Sequence, residues 1–172
     1  IPKLNEKEVV VVGGGNTAID AARSALRLGA KKVTILYRRT KKEMPAHEME
    51  IDAAIEEGVN IIYLSAPTAI LSTNGRLEGL RCIMMELGKP DASGRRSPVP
   101  ISGSEYDLKC DLVVSAIGQD IDLGTVCSDG QLKATRWNTI VVDDKNKTFT
   151  TSIPGVFAGG DVVTGPAVAI DA

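Results

Sequence analysis

Four consecutive valines, Val9 to Val12, run without a polar break into three glycines, Gly13 to Gly15. A short, fully apolar, β-branched run that stops at glycine predicts a strand buried on both faces, as in a parallel sheet. The period then changes. Ile19, Ala22 and Leu26 fall at i, i+3 and i+7, which predicts a helix over 16–28 closed by Gly29. Residues 32–37, Lys-Val-Thr-Ile-Leu-Tyr, read as a second strand, so the first segment has the length of a βαβ unit. Thr40 and Glu43 stand at capping-box spacing. A second helix over 46–57 follows, with Ile51 and Ile55 one turn apart and Gly58 ending it, and then a third strand over 59–64. This β-α-β-α-β order predicts a doubly wound parallel sheet.

From Pro67 the pattern becomes antiparallel. Strands are expected at 69–71, 77–87 and 105–109, the first two joined by Asn74-Gly75, a strong hairpin signal. Residues 88–103 read as an exposed loop carrying Lys89, Arg95 and Arg96. Residues 111–117 form another buried run that returns to the parallel sheet, and short strands are expected at 139–142 and 156–158.

Composition narrows the options. The 172 residues carry 20 Lys+Arg against 22 Asp+Glu, a net charge of −2, with 43% hydrophobic residues. That excludes a disordered chain and a basic protein built to neutralise a phosphate backbone, so no nucleic-acid partner is expected. No apolar run approaches the ~20 residues that cross a bilayer, and no membrane partner is expected. Cys82, Cys110 and Cys127 are far apart and lack a C-x-x-C, which speaks against disulfide and zinc frameworks and fits a reducing, cytoplasmic setting. The chain opens at Ile1 without a signal-peptide pattern and closes at Ala172 inside an apolar pattern, as expected of a segment of a longer polypeptide.

Gly13-Gly14-Gly15-Asn16-Thr17-Ala18 fits G-x-G-x-x-A between a strand and a helix. In that setting Gly13 allows the tight turn, Gly15 lets main chain approach a pyrophosphate, and Ala18 lets the helix pack closely on the strand. The amides opening the helix supply an anion site, to which Asn16 or Thr17 can add a side-chain donor. The second strand ends in Arg38-Arg39, where an NAD site would carry an acid. A guanidinium there binds a 2′-phosphate, so NADP(H) is the expected cofactor. Arg38 and Arg39 point to opposite sides of an extended chain, and one of them is expected to do most of the work. Ile117, Gly118 and Gln119, after a parallel strand, bring backbone to the same crevice. Near the carboxyl end, Gly160 and Asp161 follow a short strand and open a helix, where Asp161 either accepts a polyol hydroxyl or caps the helix. His47, the only histidine, starts an exposed helix. No residue is assigned a catalytic or metal-ligating role.

These residues resemble one family: two-dinucleotide-fold flavoprotein oxidoreductases of the pyridine nucleotide-disulfide type, and within them the small (beta) subunit of NADPH-dependent glutamate synthase. The matching segments are Val-Val-Gly-Gly-Gly-Asn-Thr-Ala-Ile-Asp20, Tyr-Arg-Arg39, Glu-Met-Pro-Ala46 and Glu-Glu-Gly-Val59. To these are added Glu-Leu-Gly-Lys-Pro-Asp-Ala-Ser-Gly-Arg-Arg96, Ala-Ile-Gly-Gln119 and Gly-Val-Phe-Ala-Gly-Gly-Asp161. The resemblance implies an α/β fold: a Rossmann-like parallel sheet flanked by helices, with an antiparallel β-meander insertion, plus an incomplete remnant of the FAD domain. Residues 1–118 would be the NADPH-binding domain and 119–172 the returning part of the FAD domain, with Asp161 against the flavin ribityl chain. Hydride would pass from NADPH to FAD and electrons onward to a partner.

The chain departs from the family in lacking a first G-x-G-x-x-G for FAD, the amino-terminal cluster cysteines and a C-x-x-C. The implied partners are therefore the missing half of the FAD domain, an iron–sulfur region, and a large catalytic subunit or other electron acceptor. Alone, the chain is expected to bind NADPH, to hold little FAD, to show little diaphorase activity, and to self-associate through an apolar edge at 156–158 and 162–170. The alternative is a non-catalytic NADP(H)-binding module. A methyltransferase-like use of the glycine turn expects an acid where Arg38-Arg39 stands.

Overall fold

The computed structural model describes residues 3–90, 94–124, 131–143, 145–146 and 148–166. The chain forms two compact units, Ile1–Ile117 and Gly118–Ala172.

In the first unit the valine run is β1 (Glu8–Val12), followed by α1 (Asn16–Arg27) and β2 (Lys32–Tyr37). Next come α2 (Glu48–Glu56) and β3 (Asn60–Tyr63). Three long or irregular strands succeed them, β4 (Ser65–Thr73), β5 (Arg76–Pro90) and β6 (Arg96–Lys109), before β7 (Leu112–Ser115). β3, β2, β1 and β7 lie side by side in that order, all parallel; Val12 is paired with Leu36 on one side and Ser115 on the other. β4, β5 and β6 form a separate antiparallel sheet.

The uninterrupted valines are explained by what covers each face. Val9 and Val11 pack with Ala18, Ile19 and Ala22 of α1 and with Ile51 and Ala54 of α2. Val10 joins Leu36 against Leu80, Cys82 and Cys110, so the antiparallel meander covers the other face. Each fully buried branched side chain of this kind contributes roughly 1.5–3 kcal/mol. Both helices end in the same way. Gly29 and Gly58 take left-handed backbone, while the amides of Ala30 and Val59 reach back to the carbonyls of Ala25 and Ala54.

Several expected boundaries move. The second helix begins at Glu48, not Ala46, because His47 is still extended (ψ 133°) and stands as the N-cap. Ile55 does not share the buried face with Ile51; it is 46% exposed, and Ala54 takes the inward position. Most of the expected loop 88–103 is strand, since the β5–β6 ladder continues to Pro90 and Arg96. Pro98 and Pro100 are accommodated because β6 is an edge strand.

In the second unit the strands expected at 139–142 and 156–158 are reduced to the isolated bridges Ala134–Ile140 and Thr150–Phe157. One short helix, α3 (Asp161–Thr164), follows Gly160. The expected apolar edge is described only as far as Pro166; residues 167–170 lie outside the described residues. Among the described residues no helix is long and apolar enough to cross a membrane.

Candidate functional site

The carboxyl end of β1 lies between two parallel neighbours, and the glycine turn forms there. The Gly13 amide still donates to Leu36 O (3.1 Å), so the turn starts while the chain is laddered to β2. Gly13 has φ +145°, and a Cβ on it would lie 2.2 Å from Ala116 O at the end of β7. A Cβ on Gly14 would lie 2.4 Å from Cε2 of Tyr37, whose ring covers that residue. Gly15 differs. Its backbone is ordinary (φ −88°), and a Cβ would meet nothing closer than Pro45 Cγ at 3.9 Å. Thus packing explains the first two glycines, and the third leaves space beside the start of α1.

That helix start suits an anion. Gly15 is the N-cap and offers no side chain to the first-turn amides, and no acid stands in the first turn. The positive end of the helix dipole is therefore uncompensated. Ala18 is fully buried, which lets α1 approach β1 closely. Thr17 is exposed at the helix mouth. The Asn16 side chain is already engaged, its Oδ1 accepting from the His47 amide at 3.0 Å.

The segment between β2 and α2 is latched onto this turn. Tyr37 Oη donates to Glu43 O (2.6 Å), and the Ala46 amide donates to Gly14 O (3.2 Å). Residues 41–43 form one 3-10 turn with the expected capping box. The Thr40 hydroxyl and amide both donate to the Glu43 carboxylate, and the hydroxyl bond holds that carboxyl below the usual range. This latch was not legible in sequence. Its one signal is an aromatic residue, Tyr37, ending the strand beside a glycine turn.

The two arginines after β2 diverge. Arg38 is exposed. Arg39 is only 6% exposed, and its Nε donates to Arg96 O of β6 at 2.7 Å. Lys41 is paired with Asp52 (2.5 Å), and that hydrogen bond raises its pKa. Ile117 leaves β7 exposed, and Gly118 and Gln119 follow it in the chain at the start of the second unit. In that unit Gly160, with φ +70°, is the N-cap of α3, so Asp161 is the first helical residue rather than the cap, with an exposed side chain.

Cys82 and Cys110 are buried free thiols, and burial pushes Cys82 up to about 11. Neither is a nucleophile at neutral pH. Cys127 lies outside the described residues.

The family model for pyridine nucleotide-disulphide oxidoreductases matches residues 1–172. The chain belongs to this family. NADPH and FAD are the cofactors of these oxidoreductases, and a helix start with no side-chain cap and no first-turn acid suits the pyrophosphate of the former. Among family relatives, the chain is 50% identical over 171 residues to the NADP(+)-dependent formate dehydrogenase subunit beta of Moorella thermoacetica, covering 99% of this chain and 24% of that protein. It is 42% identical over 165 residues to the glutamate synthase [NADPH] small chain of Azospirillum brasilense, covering 95% of this chain and 34% of that one. The structure is similar to thioredoxin reductase of Lactococcus lactis (TM-score 0.71, 26% identity), covering 97% of this chain and 48% of that one. The chain thus spans a quarter to a third of the length of these two curated oxidoreductase subunits.

Proposed function

We propose that residues 1–118 are the NADPH-binding domain of a flavin-dependent oxidoreductase and that 119–172 belong to its FAD-binding domain, most like the small chain of glutamate synthase. The observation that carries this reading is a glycine turn opening a helix whose first turn has no side-chain cap and no acid, with Gly15 free of the close contacts that fix Gly13 and Gly14. In this reading the amides opening α1 hold the cofactor pyrophosphate. A guanidinium of the Arg38–Arg39 pair holds the 2′-phosphate, and Ile117, Gly118 and Gln119 line the crevice with backbone. Gly160 and Asp161 serve the flavin, with the Asp161 carboxylate accepting a ribityl hydroxyl. When bound, FAD supplies the hydride acceptor, and the chain's own residues bind and orient.

Electrons would then pass to a partner, either an iron–sulfur region of the same polypeptide or a large catalytic subunit. The unpaired buried thiols fit a reducing compartment such as the cytoplasm.

Calorimetric titration of the 172-residue chain with NADPH and NADH tests this. NADPH is expected to bind in the micromolar range and NADH at least about tenfold more weakly, with little diaphorase activity. Equal affinities overturn the NADP assignment, and no binding of either nucleotide overturns the whole reading.

A further inference from the structure

The two neighbouring arginines at the rim of the crevice sit in opposite environments, and that difference divides their work. A guanidinium that reads a phosphate must present its planar fork to the ligand. Arg38 is exposed, and no hydrogen bond or ion pair within the described residues engages it. Arg39 is 6% exposed and already donates to a main-chain carbonyl of another sheet. Burying a charged group is costly unless it is hydrogen-bonded, so a buried guanidinium is a structural commitment.

The acceptor is informative. Arg96 is the first residue of β6, just past the tip of the long β5–β6 hairpin. Its own guanidinium turns back across the hairpin, Nε donating to Gly88 O at 3.1 Å and a terminal nitrogen to Leu87 O. Pairing is irregular between Leu87 and Pro90, where carbonyls lose regular ladder partners. Arg96 therefore ties the start of β6 to the end of β5, and Arg39 grips that end of the ladder through the Arg96 carbonyl.

A second tether lies midway along the same hairpin, at Met85 of β5. Leu64, in left-handed backbone, donates its amide to Arg39 O (3.1 Å) and accepts from the Met85 amide (2.8 Å). Side chain and main chain of Arg39 thus both bind the meander to the end of β2.

We propose that Arg39 is a positioning residue that fastens the β5–β6 hairpin beside the nucleotide crevice, and that the 2′-phosphate contact belongs to Arg38 alone. This assignment rests on the NADPH reading above. It also gives Arg96 a role that the sequence does not disclose: tying the start of β6 to Leu87 and Gly88 of β5, where Arg39 grips.

The test uses the 172-residue chain and its Arg38→Ala, Arg39→Ala and Arg39→Lys variants. NADPH and NADH affinities are measured by titration, and amide exchange over 86–97 by mass spectrometry. Arg38→Ala should weaken NADPH about thirtyfold, leave NADH unchanged and leave hairpin exchange as in the parent. Arg39→Ala should speed exchange at the hairpin about tenfold or more, yet keep the NADPH-to-NADH ratio within about threefold. Arg39→Lys, which keeps one donor, should fall between parent and Ala in exchange.

Unchanged exchange in Arg39→Ala, or loss there of the NADPH preference by about tenfold or more, overturns the proposal. Should Arg39→Ala fail to fold, Arg39→Lys carries the test: unchanged exchange in it, or loss there of the NADPH preference by about tenfold or more, overturns the proposal equally. A parent chain that binds neither nucleotide, with a hairpin that still loosens in Arg39→Ala, would sink the NADPH reading and the Arg38 assignment while the fastening itself stood.

Discussion

A methyl group added at Gly13 would collide with Ala116 O and would have to sit at φ +145°. One added at Gly15 would meet only Pro45 Cγ, at ordinary contact distance. The two substitutions should therefore separate stability from binding. Gly13→Ala is expected to cost more than about 2 kcal/mol, seen as a large fall in denaturation midpoint. Gly15→Ala should leave the melting temperature within a few degrees of the parent. It should weaken NADPH and NADH alike by about tenfold or more, because the pyrophosphate is common to both. If Gly15→Ala binds as the parent does, the cofactor does not lie against that helix start. The motif already separates Gly13, for the turn, from Gly15, for the pyrophosphate; what the sequence does not show is that Gly14 lies under the Tyr37 ring and Gly13 against Ala116 O.

The latch between β2 and α2 is the element on which the site's shape depends, and it contains a titrating group. Glu43 is buried, and the Thr40 hydroxyl holds its carboxyl below the ordinary range. A depressed folded-state pKa means that the unfolded chain binds protons first as pH falls. The stabilisation is complete above the ordinary glutamate value of about 4.3 and is lost as pH drops through the lower folded value. Thermal denaturation from pH 7 to pH 3 should show Glu43→Gln less stable than the parent at neutral pH, with the gap narrowing in acid. A gap independent of pH would mean that the carboxylate's charge contributes nothing to the latch. The capping box was legible because it needs only two residues at a fixed spacing. The length of β5 and β6 was not: Gly88 of β5 and Pro98, Pro100 and Gly103 of β6 read as loop residues, and the edge strand β6 tolerates its prolines once β5 supplies the ladder. The residues at 139–142 failed in the opposite sense, with strand-like side chains but only one bridge, from Ile140 to Ala134. A strand is a pairing, and pairing is not a property of one segment.

At the scale of the molecule the first unit is closed and the second is not. The parallel sheet has helices on one face and the meander on the other, and its core valines are fully covered. In the second unit Trp137 is 68% exposed with the Arg136 guanidinium 4.8 Å from its ring centroid, and Phe157 is 65% exposed. Phe149, also exposed, is joined to the same turn by the Ala158 amide donating to its carbonyl. Two exposed aromatic side chains on one turn, with a third nearby in sequence and only a cation over it, leave apolar area that water covers at a cost. The 172-residue chain is therefore expected to self-associate, its sedimentation coefficient rising with concentration across the micromolar range. Phe157→Ser together with Phe149→Ser should shift it back toward monomer without changing NADPH affinity, since neither residue belongs to the glycine turn or to β2. A parent that sediments as a monomer at every concentration would show that this apolar area is too small or too divided to drive association. A doubly substituted chain that lost NADPH affinity would show that these two aromatic side chains support nucleotide binding.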